Sequence, residues 1–479
     1  MVKTILTFSL LFLAFCVYPQ EKSVKTFLSD SSLTHASVSL YVTDTQSGEI
    51  LAEHNAEKSL APASIMKLIT SAAALELLGP EYTFKTTLGY TGIINKKSGR
   101  LNGNLIIKGG GDPALGSPNF SDHYQDFITR WIDDIKKAGI RRIEGRVITD
   151  DSYFDYLPVH AKWLWEDPGS YYGAGVFGLS VFDNTYEIHL RSLPDSSGTE
   201  ITKIMPPECR YEYRNMITAG GSGYSAYAFA EPYSTKGWLA GSVPANVKDY
   251  VMEVAIADPP LLLAKMINER LEKEGIKVSQ EPVTTRTHPV FLNQKTVQVS
   301  ETVSPRLADI VNVLNHLSVN LYAEHFTKEL GRFYKNSGST SAGVEVIKDF
   351  LNRAGVDTEG MFIVDGSGLS PQNSINAKEL VNLLIYMEKN SKDFHEYLSS
   401  LPEAGKGGTL NHSFMDPVFD GNLKAKSGSM TRVRSFAGYF STQSGKEAAF
   451  AVIVNDYSGS SDKTTSLIEE FLKEIILTK

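Results

Sequence analysis

A serine and a lysine stand three residues apart in Ser64-Ile65-Met66-Lys67, at the head of an apolar run over residues 63–78. Residues at i and i+3 share a helix face, so the hydroxyl and the amine can meet. A serine hydroxyl is a poor nucleophile until a neighbouring base takes its proton, and an amine can be that base. The pair is therefore suited to acyl transfer. Alone it is a weak signal, because Ser-x-x-Lys recurs at Ser460 to Lys463 in a polar run that reads as a solvated loop.

Two more short patterns follow. Ser318-Val319-Asn320 offers a hydroxyl and an amide, and Lys426-Ser427-Gly428-Ser429 offers a cation, hydroxyls and a glycine. Glycine in a strand lets another backbone approach closely. These patterns also have twins, at Ser117-Pro118-Asn119, Ser374-Ile375-Asn376 and Lys97-Ser98-Gly99. Order and setting separate one set from the rest.

The settings come from the elements. Pro62 and Gly79-Pro80 punctuate 63–78 as a helix. Its interior is apolar nearly all round, which predicts burial. Ser318 falls in a break between helical patterns at 307–317 and 321–330, and Lys426 opens a predicted strand pair, 430–434 and 435–442. Alternation over 36–52 predicts a β-hairpin turning at 44–48, ahead of the Ser64 helix. Strands are predicted within 82–115, a helix at 121–138 and a strand at 143–149. The run Gly109-Gly110-Gly111-Asp112-Pro113 reads as a tight turn, since it lacks the Lys-Ser/Thr ending of a phosphate loop.

From about 184 to 256 the chain turns to short strands rich in Gly, Pro, Tyr and Ser, a small all-β module. Gly220-Gly221-Ser222-Gly223 within it lacks the strand–helix frame of a dinucleotide site. Helical patterns resume at 259–275, 341–354 and 377–387, with a strand at 448–454 and an amphipathic helix at 466–478. The fold class is α/β and multi-domain. The expected division is a signal peptide at 1–20, catalytic regions at 21–84 and 286–479, and inserted domains at 85–285.

Length and composition agree: 479 residues exceed one ordinary core, and 42% hydrophobic with 21% charged residues is a globular balance. A net charge of −8, with no basic cluster interleaved with aromatics, argues against nucleic acid. The ten histidines are scattered without ligand spacing, so no metal and no cofactor is expected. Lys3, an apolar stretch to Tyr18 and polar Gln20-Glu21-Lys22 form a secretory signal layout, too short to span a bilayer. Cleavage is expected between Cys16 and Glu21, and bulky Phe15 argues against lipid attachment at Cys16. Cys209 then remains alone, so no internal disulfide is expected. No transmembrane span is predicted in the mature chain, which is expected in the periplasm or cell envelope.

Ser-x-x-Lys, Ser-x-Asn and Lys-Ser-Gly, in this order, resemble the three motifs of penicillin-binding proteins and active-site serine β-lactamases. The gap of about 250 residues between the first two is similar to that of class C low-molecular-mass penicillin-binding proteins, the D-alanyl-D-alanine carboxypeptidase/endopeptidase family. Segments 109–113, 150–154, 365–370 and 436–440 fit the same family. The departures, Val319 where Asp is common and Ser427 and Ser429 where Thr is common, keep the hydroxyl or fall at a variable position. The resemblance implies a transpeptidase-type fold, an antiparallel sheet with flanking helices interrupted by inserted domains.

It also implies roles. Ser64 would attack the carbonyl joining two D-alanines, with Lys67 as base, uncharged because positive Lys426 is near. Ser318 would relay a proton to the leaving amine, and Asn320 would hold the substrate amide. Lys426 and Ser427 would bind the terminal carboxylate on the strand of Gly428, and the N–H groups of Ser64 and Ser429 would form the oxyanion hole. Met430 lines the same pocket or is ordinary core. The segment 163–174 resembles one that borders the cleft, where Asp167 pairs with a diamino acid side chain or caps its own loop. The implied partners are peptidoglycan peptides and, as covalent inhibitors, β-lactams. A β-lactamase, an esterase and a silent muropeptide binder are the rival readings.

Overall fold

The structure, a computed structural model, describes residues 19–193 and 197–479. Residues 1–18, with Cys16 and most of the predicted signal segment, lie outside these. A five-stranded antiparallel sheet joins the two ends of the chain. Its order is Lys424–Met430, Val433–Ser441, Glu447–Asn455, Ser37–Asp44, Ile50–His54. The predicted hairpin is present, and its turn is fixed by Asp44 Oδ1, which accepts from the N–H groups of Gln46 and Ser47.

Strand periodicity divides the sheet's side chains between two cores. Val38, Leu40, Val42, Phe450 and Val452 face a core closed by helices Pro19–Leu28 and Ser461–Thr478. Tyr41, Ala449, Ala451 and Ile453 face the larger core. At its centre is the Ser64 helix, whose Leu68, Ile69 and Ala72 to Leu75 are 0% exposed. Helices Leu307–Leu317, Asn320–Lys335, Thr340–Arg353 and Ala377–Asn390 pack around it. The first turn of the predicted helix, Ala63–Ile65, is a 3-10 turn, and the α-helix proper is Met66–Leu78.

Three expectations shift. Lys426 lies inside strand Lys424–Met430, and the stretch predicted as a strand at 430–434 holds a hairpin turn with Met430 opposite Val433. Arg432 takes φ +58° there, its guanidinium donating to Asp456 O at 2.7 Å. The helix predicted at 121–138 breaks into Ser121–Tyr124 and Phe127–Lys137, because Gln125 has φ +48° and Asp126 Oδ1 caps the second piece at Thr129 N. Strand Val297–Val303 lies beyond the expected boundary at 285, yet it pairs with Lys85–Tyr90 in a second five-stranded sheet.

The described residues between 185 and 255 form strands and turns only. Two small sheets enclose a separate core of Ile188, Leu190, Leu239 and Val254. Cys209 is buried there as a free thiol.

Candidate active site

Ser64, Ser318 and Lys426 converge from the 3-10 turn, the helix break and the edge strand. Lys67 Nζ donates to Ser64 Oγ at 2.9 Å, Asn320 Oδ1 at 2.5 Å and Ser367 O at 2.8 Å. Lys426 Nζ donates to Ser318 Oγ at 2.9 Å and Ser427 O at 2.8 Å. Asn320 Nδ2 donates to Tyr172 O at 2.8 Å, and Ser427 Oγ to Thr409 Oγ1 at 2.8 Å.

Backbone geometry sets these positions. Ala63 is held at φ +50°, an unusual conformation for a residue with a Cβ, directly before Ser64. Gly368 packs over it at φ +82°, where a Cβ would come within 1.9 Å of Ala63 O. On the other side a Cβ on Gly428 would stand 2.7 Å from Pro62 O and 2.9 Å from Ser64 N, so the strand needs glycine to pass the serine's backbone. Ser318 ends its helix at φ 60°, ψ 37°, a left-handed kink between the two helices. Asn320 then begins the next helix.

Both lysines are 0% exposed. Burial drives Lys67 down to about 7, against the opposing pull of Glu324 and Asp365. Burial also drives Lys426 well below the usual lysine range, helped by positive Lys67 and Arg434. An uncharged amine beside Ser64 is thus accessible near neutral pH, the condition for a base.

Residues 20–473 match the model of the D-Ala-D-Ala carboxypeptidase 3 (S13) family. The chain belongs to that family. It is 27% identical over 459 residues to a D-alanyl-D-alanine carboxypeptidase of Actinomadura sp. strain R39, covering 92% of this chain and 81% of the relative. It is 26% identical to D-alanyl-D-alanine carboxypeptidase DacB of Haemophilus influenzae, over 86% of this chain and 83% of that one. The crystal structure of penicillin binding protein 4 from that organism shares the fold: TM-score 0.80, 22% identity, 94% of this chain and 97% of that one. As an S13 member the chain is a serine-type D-Ala-D-Ala carboxypeptidase, a hydrolase of the penicillin-binding class.

Strand Lys424–Met430, which bears the third motif, also carries Ser429, exposed, and Met430, half-buried, at its end. Asp167 is 4% exposed, and its Oδ2 accepts from Leu164 N at 2.8 Å, a cap of its own loop. Burial raises its carboxyl to about 6. The twin motifs have structural uses. Ser460, predicted in a loop, is an exposed N-cap accepting from Lys463 N. Ser117 caps the turn Pro118–Phe120, Asn376 caps Ala377–Asn390, and Lys97-Ser98 sit in a turn held by Asn95.

Two site residues are not singled out by the motifs. Glu324, one turn after Asn320 on the same helix face, is 2% exposed and accepts from Ser367 N at 2.7 Å. Burial and Asp365 push it up to about 7. Asp365, 0% exposed, accepts from Gly368 N, Ser370 N, Asn373 Nδ2 and Trp163 Nε1 within 3.0 Å. It folds the loop that presents Ser367 O to Lys67.

Proposed function

We propose that Ser64 is the acylated nucleophile of a peptidoglycan D-Ala-D-Ala peptidase and that Lys67 is its base. The 2.9 Å contact between Lys67 Nζ and Ser64 Oγ, with the amine near its neutral form at about 7, carries this reading. Lys67 takes the Ser64 proton as Oγ bonds to the carbonyl carbon between the two D-alanines. The C–N bond breaks as Ser318, hydrogen-bonded to Lys426, relays the proton taken by Lys67 to the leaving amine. Water then attacks the ester carbonyl while Lys67 takes one of its protons, and Lys67 returns that proton to Ser64 Oγ as the ester C–O bond breaks.

Asn320, fixed between Lys67 and Tyr172 O, orients the peptide amide. Lys426, Ser427 and Gly428 receive the terminal carboxylate, and the N–H groups of Ser64 and Ser429 receive the oxyanion. Met430 lines this pocket, and Asp167 meets an amine on the stem peptide. A structure of H. influenzae penicillin binding protein 4 complexed with a β-lactam, and the name "predatory peptidoglycan endopeptidase" of a Bdellovibrio relative, support β-lactam acylation and crosslink cleavage here. The signal layout supports export, and no described helix is long and apolar enough to cross a membrane. Residues 85–285, with the strand Val297–Val303, are read as domains inserted into the catalytic fold.

Labelled penicillin tests the centre of this reading. Wild type is expected to take covalent label on Ser64 and Ser64→Ala to take none. An adduct mapped elsewhere by mass spectrometry would overturn it.

A further inference from the structure

The all-β module turns aromatic rings outward where a solvated sheet face usually takes polar residues. Across strands Glu212–Asn215, Lys236–Val243 and Ser225–Ala230, the register sets Arg214, Trp238 and Phe229 side by side. Their strand neighbours Leu239 and Ala228 enter the module's core, so period two aims Trp238 and Phe229 away from it. Trp238 stacks on Phe229, ring centroids 5.3 Å apart. Trp165, 65% exposed, extends the row from a separate loop, 6.1 Å from Trp238. The three rings line a groove of about 490 Å³ with Arg214, Glu231 and Lys236 also on its walls.

The lining says what fits. It mixes both signs of charge, and Lys236 lies 3.8 Å from Glu212, so no single-sign field recruits a nucleic acid or an anionic membrane. A floor of rings with hydrogen-bonding groups beside it suits a ligand with apolar ring faces and polar edges. Pyranose sugars have that form. The groove and the cleft share a segment of chain. The segment bearing Trp165 carries Trp163, whose indole donates to Asp365, and Tyr172, whose carbonyl holds Asn320. The stem peptide that the cleft acts on hangs from a sugar strand, and about five extended residues reach only about 17 Å. An enzyme gripping the peptide's end therefore has the glycan close by.

We propose that this groove binds the glycan strand of peptidoglycan, a chain of β-1,4-linked N-acetylated amino sugars, and holds the enzyme on polymeric substrate. The inference rests on the peptidoglycan reading above. The test compares wild type with Trp165→Ala/Trp238→Ala, two exposed positions outside the cleft. Wild type is expected to co-sediment with peptide-free strands of alternating N-acetylglucosamine and N-acetylmuramic acid. The variant is expected to bind them more weakly by roughly tenfold or more, having lost two large ring faces. Its digestion of intact sacculi should fall, while penicillin labelling and hydrolysis of a soluble D-Ala-D-Ala peptide stay at wild-type rates. Equal glycan retention by both proteins, or none by wild type, would overturn the proposal. So would a wild-type dimer in sedimentation velocity that the variant loses, which would put a second copy in the groove. A wild type that neither hydrolyses soluble peptide nor takes penicillin would instead overturn the activity reading, and this inference with it.

Discussion

The catalytic cleft and the all-β module each invert the usual rule of burial, in opposite directions. In the cleft, charge goes inside: Lys67, Lys426 and Asp365 are 0% exposed and Glu324 is 2%. In the module, rings go outside: Trp238 is 36% exposed, Tyr227 40% and Tyr224 61%. Buried charge is tolerated only when hydrogen-bonded, and the cleft meets that condition within itself. Lys67 has three acceptors, Lys426 two, and Asp365 four donors. Its dipoles are in place before substrate arrives, which is how electrostatic catalysis operates. The module's rings have no such internal closure, and a surface of that kind gains by taking a ligand.

If the cleft is a closed electrostatic unit, removing its base should be the largest single loss. Lys67→Ala is expected to slow penicillin acylation by on the order of 10²–10⁴-fold. Second-order acylation rates near wild type would show that another group takes the proton. Asp365→Asn comes next. An amide cannot accept on both sides, so at least one of the four donors is stranded, at about 1–3 kcal/mol. A lower denaturant midpoint together with slower acylation is expected, and an unchanged midpoint would refute the network.

Asp167 tests where the closed unit ends. Asp167→Asn should retain the cap to Leu164 N yet weaken cleavage of peptides with a free diamino acid side chain by roughly tenfold. Cleavage of N-acetylated analogues should barely change. Equal losses on both substrates would make it a loop cap alone. The smallest effect is on pH dependence. Acylation needs neutral Lys67, so its rate should fall as pH drops below about 7 and level off above. Glu324 and Asp365 favour the charged amine, while burial opposes it. Glu324→Gln removes one favouring charge and keeps an acceptor for Ser367 N, so the acid limb should move to lower pH. A limb that stays in place would remove Glu324 from the control of Lys67.

Much of the site could be read in the sequence because its parts are locally punctuated. Pro62 and Gly79 bracket the Ser64 helix, Ser318 interrupts two apolar periods, and a glycine marks the strand that passes Ser64. The misplaced elements lack such marks. The turn at Thr431-Arg432 has no Gly, Asn or Pro, and Arg432, in its left-handed conformation, donates to Asp456 O just past the strand Glu447–Asn455. The break at Gln125 interrupts an otherwise helical pattern. Glu324 could have been found, since Asn320 and Glu324 share a helix face at i and i+4. Asp365 falls in the segment 365–370 that fits the family, and three of its four donors lie within eight residues, whereas its bond from Trp163 and the pairing of Thr409 with Ser427 join separate elements and carry no local mark.

The central sheet sets a temporal rule for the molecule. Strand Ser37–Asp44 has one neighbour nearby in sequence and the other, Glu447–Asn455, almost at the far end of the chain. Contacts of such separation close large loops and form slowly. Ser64 emerges early in synthesis, but the strand bearing Lys426 emerges only after nearly all the rest. An emerging or truncated chain therefore holds Ser64 and Lys67 without Ser318, Lys426 and the strand that passes Ser64. The site is completed by the chain's late strands, and Gly428 reaches Ser64 only once those strands have paired with the early hairpin.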